Sequence, residues 1–133
     1  MLLCCPSFLY AVLPEGESVT EGNVSFDRSE ANTLKINVAS EKAIINYNNF
    51  SIGAGESVYF YQPSVSSAAL NRVTGSSVSD ISGYLSATGI IYLINPNGIN
   101  ISPTARIDVA GLVASTLDIL NSDFLSGKNN FFR

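Results

Sequence analysis

The charged side chains that could support acid–base or hydrolytic chemistry in this sequence are few and spread along the chain. Hydrolysis of a polysaccharide needs paired carboxylates, or clustered Asp, Lys and Arg along one groove. Arg106 and Asp108 share one face, because they lie two residues apart on a predicted strand. The alternating pattern favours a solvated outward face, with Ala105, Ile107 and Val109 inward. The other candidates are Asp27, Arg28, Asp80, Asp118 and Asp123. We therefore predict no catalytic site and keep a polysaccharide-degrading enzyme as an alternative.

Composition argues against several other classes of site. The 133 residues contain no His and only two Cys, the adjacent Cys4 and Cys5. A Cys/His metal site and a His-based triad are therefore unavailable, and we expect no cofactor. The net charge of -4, with seven Lys and Arg, argues against nucleic acid as a partner because phosphates need a basic surface. With 46% hydrophobic and 14% charged residues, the chain is predicted to fold as one domain.

The first eleven residues, "MLLCCPSFLYA", are apolar and end in a small residue. They are predicted to be the remaining part of a secretory signal peptide cleaved near Ala11, and residues 12–133 to be the mature domain. A hydrophobic first strand is the alternative. No later stretch approaches the roughly 18 apolar residues that span a membrane, so no membrane span is expected.

The elements that must position any site read as short strands separated by turn residues. Candidate strands are "TLKINV", "KAIINYNNFSI", "ESVYFYQ", "ALNRV", "YLSA", "IIYLI", "GINI", "ARIDVAG" and "LVAST". Residues 79–83 are predicted to form at most one helical turn. The uninterrupted "IIYLI" favours burial on both faces or parallel pairing. All-β structure follows, either as a parallel β-helix with coils of roughly 20 or more residues or as a β-sandwich.

One turn is unusually well specified, the segment Asn95-Pro96-Asn97-Gly98 that precedes Ile99. Asn95 is biased towards extended backbone by the following proline, which itself fixes φ at the second turn position. Asn97 and Gly98 suit the third and fourth positions. Asn side chains at such corners can also bond the backbone of neighbouring coils. The segment is therefore sufficiently explained as a folding device.

This turn also belongs to a set of motifs that resembles a known family. "GIIYL" and "INPNGI", followed by "GLVASTLDI" and preceded by "AIINYNNFSIGAGESVYFYQP" and "ALNRVTG", are similar to the amino-terminal secretion domain of two-partner secretion exoproteins, the filamentous haemagglutinin type. The resemblance extends from about Leu13 to Arg133 and keeps the order of motifs. It follows the branch with "LNRV", because the second Asn-Pro-Asn-Leu motif of the other branch is absent.

The resemblance implies a right-handed, single-stranded parallel β-helix with an amino-terminal cap and extra-helical β elements. The implied function is that of a secretion signal, recognised in the periplasm by an Omp85-type outer-membrane transporter through its POTRA domains and pore. It further implies nucleation of β-helix folding at the cell surface, secretion of a large adhesin or haemagglutinin, and contact with a host cell surface through downstream regions.

The residues carried over are Asn95, Pro96, Asn97, Gly98 and Ile99 in the turn, with Asn71 and Arg72 upstream. Conformational preference accounts for Pro96 and Gly98 as folding residues. Asn71, Arg72 and Asn95 are left open between bonds within the coil and contacts to a partner.

A glycan-binding module is the second alternative, with Tyr47, Tyr59, Tyr61 or Tyr84 as stacking platforms. A carboxylate cluster in a groove would favour the enzyme, and an exposed aromatic row would favour the glycan-binding module.

The final residues, "FFR", place two large apolar side chains next to the end of the sequence, which predicts that the β-helix continues in a longer protein.

Overall fold

The computed structural model describes residues 13–133. The predicted signal peptide and both cysteines lie outside the described residues. The strands are β1 (Ser18–Glu21), β2 (Val24–Asp27), β3 (Thr33–Val38), β4 (Lys42–Tyr47), β5 (Ser57–Tyr61), β6 (Ala68–Val73), β7 (Ser79–Ile81), β8 (Tyr84–Ala87), β9 (Ile90–Ile94), β10 (Ile99–Ile101), β11 (Arg106–Asp108), β12 (Gly111–Ser115), β13 (Asp118–Ile119) and β14 (Phe131–Phe132). A short helix, α1 (Asn121–Leu125), lies between the last two.

The chain winds into stacked coils with three faces. The first face contains β3, β5, β8 and β11, all parallel. The second face contains β4, β6, β9 and β12, also parallel. The third face is narrower, with β7 parallel to β10 and a parallel bridge from Ile52 to Ile81. Each coil crosses the three faces in that order, so the β-helix is confirmed over the β-sandwich.

Alternation places one side of every strand inside the coils. Leu34, Val58, Leu85 and Ile107 stack in one column along the first face. The first three are essentially inaccessible to solvent, and Ile107 packs against the same core. Like residues on like positions of successive coils build a continuous apolar core, which drives the stacking.

The second face is buried on both sides, as "IIYLI" predicted. Ile91 and Leu93 point into the core, whereas Tyr92 and Ile94 belong to a second apolar cluster outside it. This outer cluster is covered by residues 118–132, here called the strap, through Ile119, Phe124 and Phe131. The antiparallel pair of β13 and β14 inside the strap is an extra-helical β element.

An amino-terminal cap covers the first coil. Strand β1 runs antiparallel to β4, and β2 runs antiparallel to β3. These pairings satisfy the strand edges that the first coil would otherwise expose. The all-β parallel β-helix with an amino-terminal cap and extra-helical elements is thus confirmed.

One local prediction was wrong, and some elements were not predicted. Residues 79–83 form no helical turn, because Ser79 to Ile81 pair in parallel with β10 and the Ile81 side chain is buried in the core. The helix α1 was not predicted, since a single turn held by packing of Phe124 carries little periodic signal. No helix among residues 13–133 has the length and apolar character needed to cross a membrane.

Candidate partner-recognition site

Asn95 is the buried centre of the corner between the second and third faces. Its Nδ2 donates to the carbonyl oxygen of Ser77 and to Ser79 Oγ, both at 2.9 Å. Its Oδ1 accepts the backbone N–H and the Nδ2 of Asn97, also at 2.9 Å each. Gly98 N–H donates to the carbonyl of Asn95 at 3.1 Å, which closes the predicted tight turn. The Asn95 amide therefore ties its own turn to the preceding coil.

The remaining corner residues divide by exposure. Pro96 and Asn97 are exposed, and Gly98 and Ile99 are half-buried. Asn97 Nδ2 also donates to the carbonyl oxygen of Gly75 at 2.8 Å, one coil back. Gly98 has a φ of 122°, a conformation that residues with a Cβ rarely adopt. The corner thus presents Pro96 and the outer edge of Asn97 on a rigid base.

Ile99 leads the chain from the corner into β10. Its side chain packs against the main core, and its Cα partner on β7 is Ser79. The Gly98 carbonyl accepts the Ser79 N–H at 3.0 Å. Ile99 therefore anchors the corner to the core and to the third face.

Asn71 lies inside the β-helix and is completely buried. Tyr47 Oη donates to its Oδ1 at 2.7 Å, and its Nδ2 donates to the carbonyl oxygen of Tyr92 at 3.1 Å. This side chain links three successive coils, since Tyr47, Asn71 and Tyr92 belong to β4, β6 and β9. Desolvation on burial raises the pKa of Tyr47 well above its ordinary value, with a smaller contribution from the Glu17 carboxylate. The phenol stays neutral and available as a donor.

Arg72 points outward from the second face and holds the strap. Its Nε lies 3.0 Å from Asp118 Oδ1, and its terminal N–H donates to the Ile119 carbonyl oxygen at 2.7 Å. The Arg72 side chain is only 15% exposed, against 40% for Asp118. The pair is therefore partly shielded from solvent, and Arg72 acts on the strap rather than on the corner.

Two further outward side chains hold the strap, and the sequence did not single them out. Lys42 Nζ donates to the carbonyl oxygens of Phe124 and Leu125 at 3.1 Å each, which neutralises the carboxyl end of α1. Tyr92 Oη donates to Asn129 Oδ1 at 2.7 Å. The holding residues Lys42, Arg72 and Tyr92 come from β4, β6 and β9, so the strap crosses three coils. The sequence does show a cationic or hydroxyl side chain on the outer side of each apolar strand. It does not show the partners of these side chains, which lie 37 to 83 residues away.

The sequence-predicted residues are thus neighbours by register but face different ways. Asn71 is the Cα partner of Leu93 and Arg72 of Ile94, the residue that precedes the Asn95 corner. The Asn71 side chain points into the core, and the Arg72 side chain points under the strap. Only the corner offers these residues to an external partner.

The charged alternatives for catalysis are dispersed. Arg28 pairs with Glu17, and Asp80 accepts from Asn100 Nδ2 at 3.0 Å. Arg106 and Asp108 point outward on the first face, with Ile107 packed inward, as predicted. Within residues 13–133 no group of three or more His, Cys, Asp or Glu is arranged to hold a metal ion.

These features define a capped β-solenoid domain. They are the stacked parallel coils, the covered first coil, the corner centred on Asn95 and the extra-helical strap. The chain belongs to the TPS secretion domain family, whose model matches residues 11–132. The resemblance drawn from the ordered motifs is thereby confirmed, and the chain is a two-partner secretion domain.

The crystal structure of the HMW1 secretion domain from Haemophilus influenzae superposes with a TM-score of 0.84 at 37% identity. The match covers 89% of this chain and 31% of that one. A heme/hemopexin-binding protein of Haemophilus influenzae is 38% identical over 122 residues, and the protein of that name from strain Rd is 42% identical over 107. These matches cover 90% and 80% of this chain but 13% and 12% of the relatives' lengths. Proteins with this domain are exoproteins secreted with a partner transporter.

Proposed function

We propose that this domain is the secretion signal by which an outer-membrane transporter of the Omp85 type recognises its exoprotein in the periplasm. Recognition involves the POTRA domains and the pore of the transporter. The observation that carries the proposal is that the family match, residues 11–132, includes the cap, the corner and the strap together. The family therefore matches a complete folded module rather than an isolated turn.

The geometry supports a division of labour among the site residues. Asn71 and Asn95 are completely buried, so they act through the fold. Gly98 acts through its positive φ, and Ile99 acts through its packing on the core. Pro96 and Asn97 are exposed at the corner and are the members placed to touch the transporter. Arg72 contributes indirectly, by fixing the strap on the second face.

The domain also nucleates folding of a longer β-helix at the cell surface. Its cap closes the first coil, so coils can be added only from the opposite end. Among the described residues, β11 and β12 are the outer strands of the first and second faces at that end. Their free backbone groups provide a parallel template for a following coil.

The parent protein is proposed to be a large secreted adhesin or haemagglutinin that reaches the cell surface through the periplasm. The support is that this chain matches only 13% and 12% of the two heme/hemopexin-binding proteins. Contact with a host cell surface, where it occurs, is assigned to regions beyond this domain. The predicted signal peptide and longer β-helix belong to the same proposal.

Co-expression tests the proposal. The domain, preceded by a complete signal peptide, is produced in Gram-negative cells with or without its partner transporter, and release into the medium is measured. We expect release only with the transporter and periplasmic retention without it. Equal release in both strains would reject transporter recognition.

A further inference from the structure

The first face carries an aromatic row that the secretion function does not use. Tyr59 and Tyr61 point outward from β5, and Tyr84 points outward from the neighbouring β8. Tyr47, the other candidate platform, is instead completely buried in the core. An exposed aromatic row is the feature that favours glycan binding over a purely structural face.

The three rings form a continuous surface with fixed geometry. The Tyr59 and Tyr61 rings are parallel within 4°, with centroids 6.2 Å apart, and Tyr61 is 46% exposed. The Tyr84 ring meets the Tyr59 ring edge-on, with centroids 5.7 Å apart. Tyr61 is the exposed member of the row, and the half-buried Tyr59 and Tyr84 support it through these ring contacts, so its apolar surface is offered at little cost in conformational entropy.

A cleft of about 250 Å³ continues this row where the chain turns from the third face to the first. Tyr84 and Arg106 form one side, and Ser57, Thr104 and Glu56 add hydroxyl and carboxylate groups. The Arg106 guanidinium lies over the Tyr84 ring, 5.7 Å from its centroid. A cation held on an aromatic ring keeps its N–H donors in a defined position. The cleft therefore combines an aromatic wall with hydrogen-bonding groups of both kinds.

The charges along this face select against a polyanion. Lys35 lies 3.2 Å from the Glu30 carboxylate, and it is the Cα partner of both Asp27 and Tyr59. Tyr84 Oη lies 3.4 Å from Asp108 Oδ2. Lys35 thus has a carboxylate beside it, and Asp108 lies two residues from Arg106 on the same strand, so little positive charge remains to attract sulfates or phosphates.

We infer that the Tyr59–Tyr61–Tyr84 row and the adjoining cleft bind a neutral oligosaccharide of hexose units. The apolar face of a sugar ring stacks on Tyr61, the exposed member of the row, and the unit nearest Tyr84 takes hydrogen bonds from the Arg106 guanidinium. The second face and the corner are not involved. This binding is additional to the secretion signal and does not depend on it.

Tyrosine fluorescence provides a direct readout, because the chain has six Tyr and no Trp. The purified domain is titrated with cellohexaose, laminarihexaose, maltohexaose and hexa-N-acetylchitohexaose at up to millimolar concentration, with a heparin hexasaccharide as the acidic probe. We expect saturable quenching by at least one neutral probe. Tyr61→Ala and Arg106→Ala are each expected to weaken that binding about tenfold or more. Circular dichroism and transporter-dependent release of both variants should remain those of the wild type.

The matched control is Val65→Ala, an apolar residue that is 71% exposed and outside the row. It should bind as the wild type does. Absence of saturable binding to all four neutral probes would overturn the inference. So would binding that is unchanged in Tyr61→Ala and Arg106→Ala, or binding of the heparin probe alone that disappears with added salt.

Discussion

Tyr47 and Asn71 form a buried hydrogen bond of 2.7 Å between consecutive coils, inside the core of the β-helix. The bond explains why a polar Asn is accommodated between Ile45 and Leu93, its Cα partners on either side. A buried amide must find partners, and Tyr47 Oη supplies one of them. The pair therefore fixes the register of the second face as well as stabilising it.

Tyr47→Phe should lower the free energy of unfolding by about 1–3 kcal/mol, because it leaves Asn71 Oδ1 buried without its donor. Urea denaturation of the purified domain measures the change. Tyr61→Phe is the control, since the Tyr61 side chain is 46% exposed, and it should change stability by less than about 0.5 kcal/mol. Equal stability of Tyr47→Phe and wild type would contradict the role given to this bond.

The same tyrosine predicts a loss of stability at alkaline pH. Burial raises the pKa of Tyr47 in the folded state above the ordinary value of 10.0, so the unfolded state releases this proton first. The contribution is complete below about pH 10 and is lost as the pH rises towards the folded pKa, by up to about 1.4 kcal/mol per pH unit. Between pH 9 and pH 11.5, the urea concentration at the unfolding midpoint should fall less steeply with pH in Tyr47→Phe than in wild type. Equal slopes in the two proteins would contradict the link between Tyr47 ionisation and stability.

Gly98→Ala should destabilise the domain by about 1–3 kcal/mol, because the φ of 122° strains any residue with a Cβ. Space is not the limit, since the nearest atom to an added Cβ would be Val78 Cγ2 at 3.7 Å. Thermal unfolding measures the change. Gly111→Ala is the control, because its φ is ordinary and an added Cβ would make normal contacts with Ile90. A similar melting temperature for both variants would show that the corner tolerates a side chain.

Arg72→Met should loosen the strap without unfolding the β-helix. The variant keeps much of the side-chain volume but loses the contacts to Asp118 and to the Ile119 carbonyl. Because Asp118 is 40% exposed, the pair itself is worth only about 0.5–1 kcal/mol. Hydrogen exchange should increase in residues 118–132, while the core strands keep their protection. The control is Lys35→Met, which removes an exposed ion pair on the first face. Equal exchange of residues 118–132 in both variants would contradict the role of Arg72 in holding the strap.

The alternation of Leu34, Ile36 and Val38 with Lys35 and Asn37 identified its strand correctly, because burial on one side is a local property of the sequence. Strand β1 was not predicted, because all four of its residues are exposed and its order depends on pairing with the distant strand β4. The strap could not be predicted from sequence either, since its position depends on partners such as Lys42 that are far away along the chain. The residue type of Asn71 did not show that its side chain points into the core. That orientation follows from the pairing of β6 with β4, which brings Asn71 to Tyr47.

The measurement that tests the central claim most directly compares release of Asn97→Ala, Asn95→Ala and Asn100→Ala by the partner transporter, with circular dichroism of each purified variant. Asn100 is the control, an exposed asparagine on β10 beyond the corner. We predict that Asn97→Ala retains the β spectrum but loses release, that Asn95→Ala loses both, and that Asn100→Ala behaves as wild type. Normal release of a folded Asn97→Ala, or equal loss in Asn100→Ala, would contradict recognition at this corner.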